Sequence, residues 1–164
     1  MLKGIPKILS PELLKILCEM GHSDTLVLAD GNFPSESIGK NAKVVRCDGH
    51  GIPALLEAIL KLFPLDSYVE HPVHLMEVMP GDPVKTPIWD TYKAIIAAQD
   101  ARGSACIGTY ERFAFYFLHL KSSNLLFSPR DATFSAKSFI VAANFAPSAA
   151  DTHSTRVRSF SIPR

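Results

Sequence analysis

Short runs of strand-forming residues alternate with amphipathic helical stretches through the first 120 residues of this chain. Residues 25–29, 43–47 and 73–79 are apolar runs rich in strand-forming residues, which predicts three buried strands. Stretches with apolar residues at helical spacing separate these runs. This alternation is typical of folds in which helices cover the faces of a central sheet. The sequence therefore predicts an α/β layered domain with a central sheet flanked by helices.

Helix boundary signals place three helices around these strands. Ser10 is followed by proline and an acidic residue, which predicts an N-cap and the first helical turn. Gly21 predicts the end of that helix, in the left-handed conformation that glycine adopts easily. A second helix is predicted over residues 53–62 and a third over residues 86–99, each opened by a proline in its first turn.

The composition changes near residue 121. All nine glycines precede that position, whereas serine and alanine are frequent after it. The charge balance also changes, from slightly acidic to basic, and the apolar residues after it have no sustained period. We therefore predict a domain over residues 1–120 and a divergent Ser/Ala-rich tail over residues 121–164. The apolar residues of this atypical C-terminal segment could form a strand or be partly buried, and whether the tail folds stays open; they are Phe134, Phe139, Ile140, Val141 and Phe145.

Length and composition exclude several classes of protein. A chain of 164 residues with 47% hydrophobic residues can bury one core without a metal or disulfide framework. No apolar run approaches the roughly 20 residues that span a bilayer, so no membrane association is expected. A net charge of +1 gives no electrostatic footprint for nucleic acid. Three widely spaced cysteines, without a Cys-x-x-Cys pair, favour a reduced, cytoplasmic protein.

Two candidate functional residues flank the first predicted strand. His22 follows Gly21, and an imidazole with a pKa of about 6.5 can donate or accept a proton near neutral pH. A helix-terminal histidine that interacts with the helix dipole is the alternative. Asp30 follows the strand at its carboxyl end, where ligands collect in α/β sheets. An aspartate that caps a turn is the alternative there.

Further candidates lie in the middle of the chain. Asp66 stands in an otherwise apolar stretch, where a carboxylate needs a partner or a sugar hydroxyl to justify burial, although a capped turn is also possible. His71 and His74 have a spacing found in metal sites. Because Pro72 argues against a helix and no further ligand has suitable spacing, we predict no metal site.

Residues 111–116 combine a guanidinium, a phenol and aromatic rings. Arg112 and Tyr116 supply the two polar groups, and sugar pockets often combine such groups with aromatic rings. A helix with one apolar face is the alternative. The sequence contains no Gly-rich phosphate-binding loop and no serine in a nucleophile-elbow pattern, which argues against nucleotide-dependent and serine-hydrolase chemistry.

Six segments in the same order resemble the ribose pyranase and L-fucose mutarotase (RbsD/FucU) family, most closely its fucose branch. They are Leu-Ser-Pro-Glu-Leu-Leu (9–14), Glu-Met-Gly-His-Ser-Asp (19–24), Leu-Ala-Asp-Gly-Asn-Phe-Pro (28–34), Arg-Cys-Asp-Gly (46–49), Leu-Asp-Ser-Tyr (65–68) and Glu-Arg-Phe-Ala-Phe-Tyr (111–116). The resemblance covers roughly residues 1–117 and rests on collinear blocks rather than on any one motif.

The resemblance implies an RbsD-like α/β fold that binds a free monosaccharide, L-fucose, and interconverts its α and β anomers without a cofactor. His22 matches the family's proton donor and Asp30 its sugar-binding aspartate. The resemblance implies four further pocket residues, which are Asp66, Met76, Arg112 and Tyr116. It also implies that Asp66 and Tyr116 take part in catalysis. It also implies a homo-oligomer with pockets at the subunit contacts. D-ribose pyranase activity is the alternative within the family.

The C-terminal part departs from the family pattern. Family members continue with a Tyr-Gly-Asn element that completes the pocket, whereas no tyrosine follows Tyr116 and no glycine follows Gly108 in this chain. A catalytically impaired monosaccharide-binding protein is therefore a second alternative.

Overall fold

The computed structural model describes residues 2–21, 24–119, 123–127 and 141–144. The helices are α1 (Pro11–Glu19), α2 (Ser35–Ile38), α3 (Ile52–Leu60), α4 (Ile88–Gln99) and α5 (Arg112–His119), and a 3₁₀ turn covers Gly103–Cys106. The strands are β1 (Thr25–Ala29), β2 (Val44–Arg46), β3 (Val73–Met76), β4 (Ile107–Tyr110), β5 (Ser123–Phe127) and β6 (Val141–Asn144).

The six strands form one sheet in the order β2-β5-β1-β6-β3-β4. β5 is parallel to β1 and to β2, and β3 is parallel to β4. β6 is antiparallel to both of its neighbours, β1 and β3. Five strands therefore point in one direction, and their carboxyl ends share one edge of the sheet, which we call the carboxyl edge. The opposite edge is the amino edge.

Each face of the sheet buries its own apolar cluster, because successive residues of a strand point to opposite faces. Leu26 and Leu28 of β1 pack in the larger cluster with residues of α1, α3 and α4. Val27 and Ala29 pack on the other face with Phe33 and Phe115. The result is the layered α/β architecture that the sequence predicts, with helices on both faces of the sheet.

The predicted elements agree with the structure except near their ends. β1 has the predicted bounds, and Ser10 caps α1 as predicted by accepting a hydrogen bond from the Leu13 backbone N–H at 3.2 Å. The predicted role of Gly21 is wrong. The helix ends at Glu19, Met20 leaves it in an extended conformation with φ −70°, and Gly21 does not have a positive φ. The chain therefore leaves α1 directly, without a left-handed residue.

Two strands come from beyond residue 120. β5 lies between β2 and β1, and β6 lies between β1 and β3, so both are interior strands of the sheet. Of the apolar residues that the sequence left as strand or partly buried, Val141 begins β6, whereas Phe134, Phe139, Ile140 and Phe145 lie outside the described residues. The division between a domain over residues 1–120 and a separate tail stays a prediction. In that division β5 and β6 belong to the tail, although both are strands of the same sheet. None of the described helices is long and apolar enough to cross a membrane.

Candidate functional site

Asp30 follows β1 at the carboxyl edge and is half-buried. Its carboxylate Oδ1 accepts a hydrogen bond from the Asn32 backbone N–H at 2.9 Å, and its carbonyl accepts one from Phe33 N–H at 3.1 Å. These bonds give Asp30 the turn-capping role that the sequence left as an alternative. The second carboxylate oxygen accepts no hydrogen bond from any residue in the described part of the chain, so the group retains acceptor capacity for a ligand.

The ends of β1, β3 and β4 lie at the same level of the sheet. Leu28 and Leu75 are both opposite Val141 of β6, and Met76 pairs with Tyr110 of β4. Met76 therefore stands at the level of Ala29, one residue below Asp30. Its side chain is 4% exposed and is buried in the same cluster as Ala29.

Helix α5 begins at this edge because Glu111 caps it. The Glu111 carboxylate accepts hydrogen bonds from the backbone N–H groups of Phe113 and Ala114, at 2.9 and 3.0 Å. Arg112 is the first residue of the helix and Tyr116 stands one turn later, which puts both on one side of it. The Tyr116 ring packs against Phe33 with ring centroids 5.6 Å apart.

Four of the six predicted site residues therefore lie on elements that meet at the carboxyl edge, and we call them the carboxyl-edge cluster. They are Asp30, Met76, Arg112 and Tyr116. The cluster combines a carboxylate, a guanidinium and a phenol with a buried thioether. Such groups can orient the hydroxyls of a sugar while its C–H face packs on carbon, which is the usual construction of a small-molecule site.

A nearby cavity does not coincide with this cluster. It has a volume of about 250 Å³ and lies between the segment around α2 and strand β2, lined by Phe33, residues 34–37, Val44 and Arg46. Among the predicted site residues none lines this cavity. Phe33 links this cavity to the cluster through its ring contact with Tyr116.

Asp66 lies apart from the carboxyl-edge cluster. It follows α3, which returns from the carboxyl edge, and it precedes β3, so it stands at the amino edge. Its side chain is buried with 3% exposure, and Oδ1 accepts a hydrogen bond from Tyr68 N–H at 2.8 Å. Within one chain the structure therefore does not bring Asp66 together with Asp30.

Arg102 contacts this segment, although the sequence does not single it out. Its guanidinium donates to the carbonyl of Asp66 and to that of Val69, both at 3.1 Å. Nothing in the local sequence pairs residue 102 with the turn at residue 66, because the contact arises from the packing of the segment after α4 against the segment after α3.

His22, the predicted proton donor, lies outside the described residues. Its described neighbours stand at the amino end of β1, where the Asp24 carboxylate accepts a hydrogen bond from Gly21 N–H at 2.8 Å. Asp24 is thus engaged in a local turn before the strand.

The two other histidines of interest lie on the β3–β4 side of the sheet. The His74 ring stacks on Tyr110 with centroids 4.0 Å apart, and His71 meets it edge-on at 6.4 Å. Burial, together with repulsion from His71, lowers the pKa of His74 to about 4. Within the described ranges no group of three or more His, Cys, Asp or Glu side chains could hold a metal ion.

Comparison with known proteins identifies the family of this fold and site. A sequence model of the RbsD / FucU transport protein family matches residues 3–126. The chain belongs to that family. The match includes all six predicted site residues and extends through most of β5.

Named relatives agree with this assignment. The fucose mutarotase of Mus musculus is 50% identical over 119 residues, which cover 70% of this chain and 76% of the mouse protein. The solved FucU of Bifidobacterium longum is 54% identical with a TM-score of 0.79 over 88% of this chain and 98% of its own. The fucose mutarotase of Streptococcus pneumoniae, solved in complex with L-fucose, is 39% identical with a TM-score of 0.73 over the same shares.

Proposed function

We propose that this protein is an L-fucose mutarotase, an isomerase that interconverts the α and β anomers of L-fucose. The observation that carries the proposal is the carboxyl-edge cluster, in a chain that is 50% identical to a fucose mutarotase. A carboxylate and a guanidinium there can bind sugar hydroxyls, and Met76 offers an apolar surface for a deoxy-sugar's methyl group.

The reaction needs only proton transfers. Opening the ring removes a proton from the anomeric hydroxyl and delivers one to the ring oxygen, which breaks the bond between that oxygen and the anomeric carbon. The open aldehyde then rotates and recloses with the transfers reversed. No electrons are transferred to or from the sugar, so the reaction needs no redox group. Because one proton is removed and one is delivered, an acid on one side of the sugar and a base on the other suffice.

The side chains proposed for these steps are those that the sequence singles out. His22 donates the proton to the ring oxygen, and Asp66 and Tyr116 assist at the anomeric hydroxyl. Asp30 and Arg112 hold the remaining hydroxyls and orient the ring. A positioned acid or base contributes about 10²–10⁴-fold, which suffices for a reaction that already proceeds in water.

The position of Asp66 favours an active site shared between subunits. Since Asp66 stands at the amino edge and the carboxyl-edge cluster stands at the other, one chain cannot supply both to one sugar. We therefore propose a homo-oligomer in which the Asp66 turn of one subunit faces the carboxyl-edge cluster of a neighbour. Tyr68, 85% exposed beside Asp66, and Phe113, 67% exposed beside Arg112, are large apolar side chains available to such a contact.

The absence of the Tyr-Gly-Asn element bears on the rate of anomer exchange that we expect. The chain lacks the phenol and amide that family members place in this element, so we expect exchange that is slower than in relatives that carry it. Three free cysteines, two of them buried, fit our proposal that the protein acts in the reducing cytoplasm.

Saturation-transfer NMR on L-fucose tests the proposed activity. Adding the protein should raise the α-to-β exchange rate above that of a protein-free sample. His22→Ala and Tyr116→Phe should each reduce the enhancement by about tenfold or more, as expected for positioned proton-transfer groups. His50→Ala is the matched histidine control, since His50 lies in the exposed turn after β2, and it should leave the rate unchanged.

Three results would contradict the proposal. Exchange of D-ribose ring forms faster than that of L-fucose anomers would favour a ribose pyranase. Binding of L-fucose by the folded protein without faster exchange would favour a monosaccharide-binding protein. Full activity of His22→Ala would remove the proposed proton donor.

A further inference from the structure

One arginine ties together the turn that carries Asp66. Arg102 follows α4, and its guanidinium reaches across to residues 66–69. Nη2 donates to the Asp66 carbonyl and Nη1 to the Val69 carbonyl, each at 3.1 Å. Because these two carbonyls stand at the two ends of the turn, one rigid planar group fixes the backbone of the whole turn.

Asp100 holds that guanidinium from the other side. Its Oδ1 accepts from Arg102 Nε at 3.0 Å and its Oδ2 from Nη2 at 2.8 Å, a bidentate pair. Oδ1 also accepts from the Arg102 backbone N–H at 2.9 Å. The Asp100 side chain is only 16% exposed, and the hydrogen bond from Arg102 holds the pKa of its carboxyl below the ordinary value. The guanidinium is therefore oriented before it meets the turn.

The carboxylate of Asp66 depends on the same backbone. Its Oδ1 accepts the Tyr68 N–H at 2.8 Å, so the direction of the side chain follows the path of residues 66–68. Asp66 is 3% exposed and Tyr68 is 85% exposed, so this short turn presents one buried acid and one exposed ring. A shift of the turn would move both.

We propose that Arg102, oriented by Asp100, is a positioning residue that fixes the Asp66 turn and thereby aims the Asp66 carboxylate at the sugar. This proposal rests on the function proposed above. Arg102 acts through the backbone of the turn, and it needs no contact with the sugar.

The chemistry of the contact distinguishes positioning from general stabilisation. Asp100 is mostly buried, so removing the charge of Arg102 altogether would leave that carboxylate without its partner and would lower the stability of the fold as well. A lysine keeps the charge, but it offers a single flexible ammonium and cannot hold two carbonyls and a carboxylate in one plane. Arg102→Lys is therefore the informative variant, and Arg102→Met shows the loss of charge as well.

The first test measures the turn itself, independently of activity. Hydrogen exchange of the Tyr68 backbone amide, followed by NMR, should accelerate about tenfold in Arg102→Lys. The reason is that the Asp66 turn, in which Tyr68 N–H donates to Asp66 Oδ1, loses its hydrogen bonds from the guanidinium. Lys61→Met is the matched control. It removes an exposed cation at the end of α3, paired with Glu57 at 2.8 Å, close in sequence to the same turn. An unchanged Tyr68 amide in Arg102→Lys would overturn the proposal.

The second test connects the turn to the reaction through a double-mutant cycle with Asp66→Asn. Arg102→Lys alone should lower kcat/KM for L-fucose exchange by about 10–100-fold, the cost expected for a misplaced reactive group. In the Asp66→Asn background the same substitution should have almost no further effect, because its target is gone. Equal losses in both backgrounds would show a merely structural role and would overturn the proposal.

The two tests separate failure of this inference from failure of the function. An inactive wild-type protein would remove the proposed function and with it the effect of Arg102 on the reaction, while the Tyr68 amide would still report whether Arg102 holds the turn. An active wild-type protein in which Arg102→Lys keeps full activity would overturn the positioning role alone.

Discussion

Tyr92 carries a hydroxyl group into the larger apolar cluster. The residue is 0% exposed, and its phenol oxygen has no hydrogen-bond partner in the described part of the chain. Burial, together with the negative charge of Asp30, raises the pKa of this phenol well above its ordinary range, so the group stays neutral. A buried hydroxyl without a partner costs free energy, because it has lost its hydrogen bonds to water.

Replacing this phenol should stabilise the fold. Tyr92→Phe keeps the ring that packs between α4 and the sheet and removes only the hydroxyl. We expect the free energy of unfolding to rise by about 1 kcal/mol, measured by urea denaturation with an unchanged m-value. A loss of stability would mean that the hydroxyl has a partner outside the described residues.

His74 should make the stability depend on pH. Burial, then repulsion from His71, lowers its folded-state pKa from 6.5 to about 4. Between these two values the unfolded state binds more protons than the folded state, so stability is fully present above about 6.5 and falls as the pH decreases towards 4. Thermal melts should show a Tm that decreases progressively as the pH is lowered from about 6.5 to about 4.

A variant isolates this contribution. His74→Phe keeps a flat ring against Tyr110 without a titrating group, so it should flatten the decrease in Tm over the same pH range. His50→Phe, in the exposed turn, should keep the wild-type slope. Equal slopes in wild type and His74→Phe would assign the pH dependence to other groups.

At the scale of elements, the pairing of β3 with β4 depends on a glycine. A Cβ at Gly108 would lie 3.0 Å from His74 Cδ2 and 3.1 Å from His71 Cβ. These distances are shorter than an ordinary van der Waals contact, so a side chain at residue 108 would require His74 or His71 to shift. The absence of a side chain at residue 108 is what allows His74 to stack on Tyr110.

Gly108→Ala should therefore disrupt this corner of the sheet. We expect a loss of about 1–3 kcal/mol in the free energy of unfolding, as for other overpacked sites. Near-UV circular dichroism should also show an altered Tyr110 environment. Gly103 is an unsuitable control because its φ is +60°, whereas Gly21 has an ordinary φ, and Gly21→Ala should cost much less. Equal losses in the two variants would contradict the steric explanation.

At the scale of the whole molecule, the two sheet edges separate the proposed machinery. Asp30, Met76 and the start of α5 stand at the carboxyl edge, while Asp66 and its Arg102 anchor stand at the amino edge. A sugar is far smaller than the length of the intervening strands. An active site that uses both sets therefore needs two chains, which is why we propose a homo-oligomer.

Mixing two inactive variants tests this arrangement. Asp30→Asn and Asp66→Asn should each lower exchange strongly when alone. Co-refolded in equal amounts, they should regain about a quarter of the wild-type activity, because one site in four then receives both intact halves from different subunits. A mixture of wild-type and Asp66→Asn protein, refolded in the same way, is the control for the yield of refolding. If mixed oligomers of normal size recover no activity, Asp30 and Asp66 of one site come from the same subunit, which would contradict the shared site.

The sequence by itself determined the local features of this protein. Ser10 and the proline after it specify the start of α1, and the apolar run at 25–29 specifies β1, because capping and side-chain alternation act over a few residues. The six collinear blocks likewise identified the family, and the position of Asp30 after a buried strand follows from its neighbours in the chain.

Only the tertiary structure decided how these pieces meet. The interior positions of β5 and β6 depend on pairings between residues far apart in the chain, for which composition after residue 120 gave no periodic signal. The separation of Asp66 from Asp30, and the contact of Arg102 with the Asp66 turn, depend on which sheet edge each connection reaches. Such long-range packing leaves no trace in a local pattern, since neither partner's neighbours in sequence specify the other.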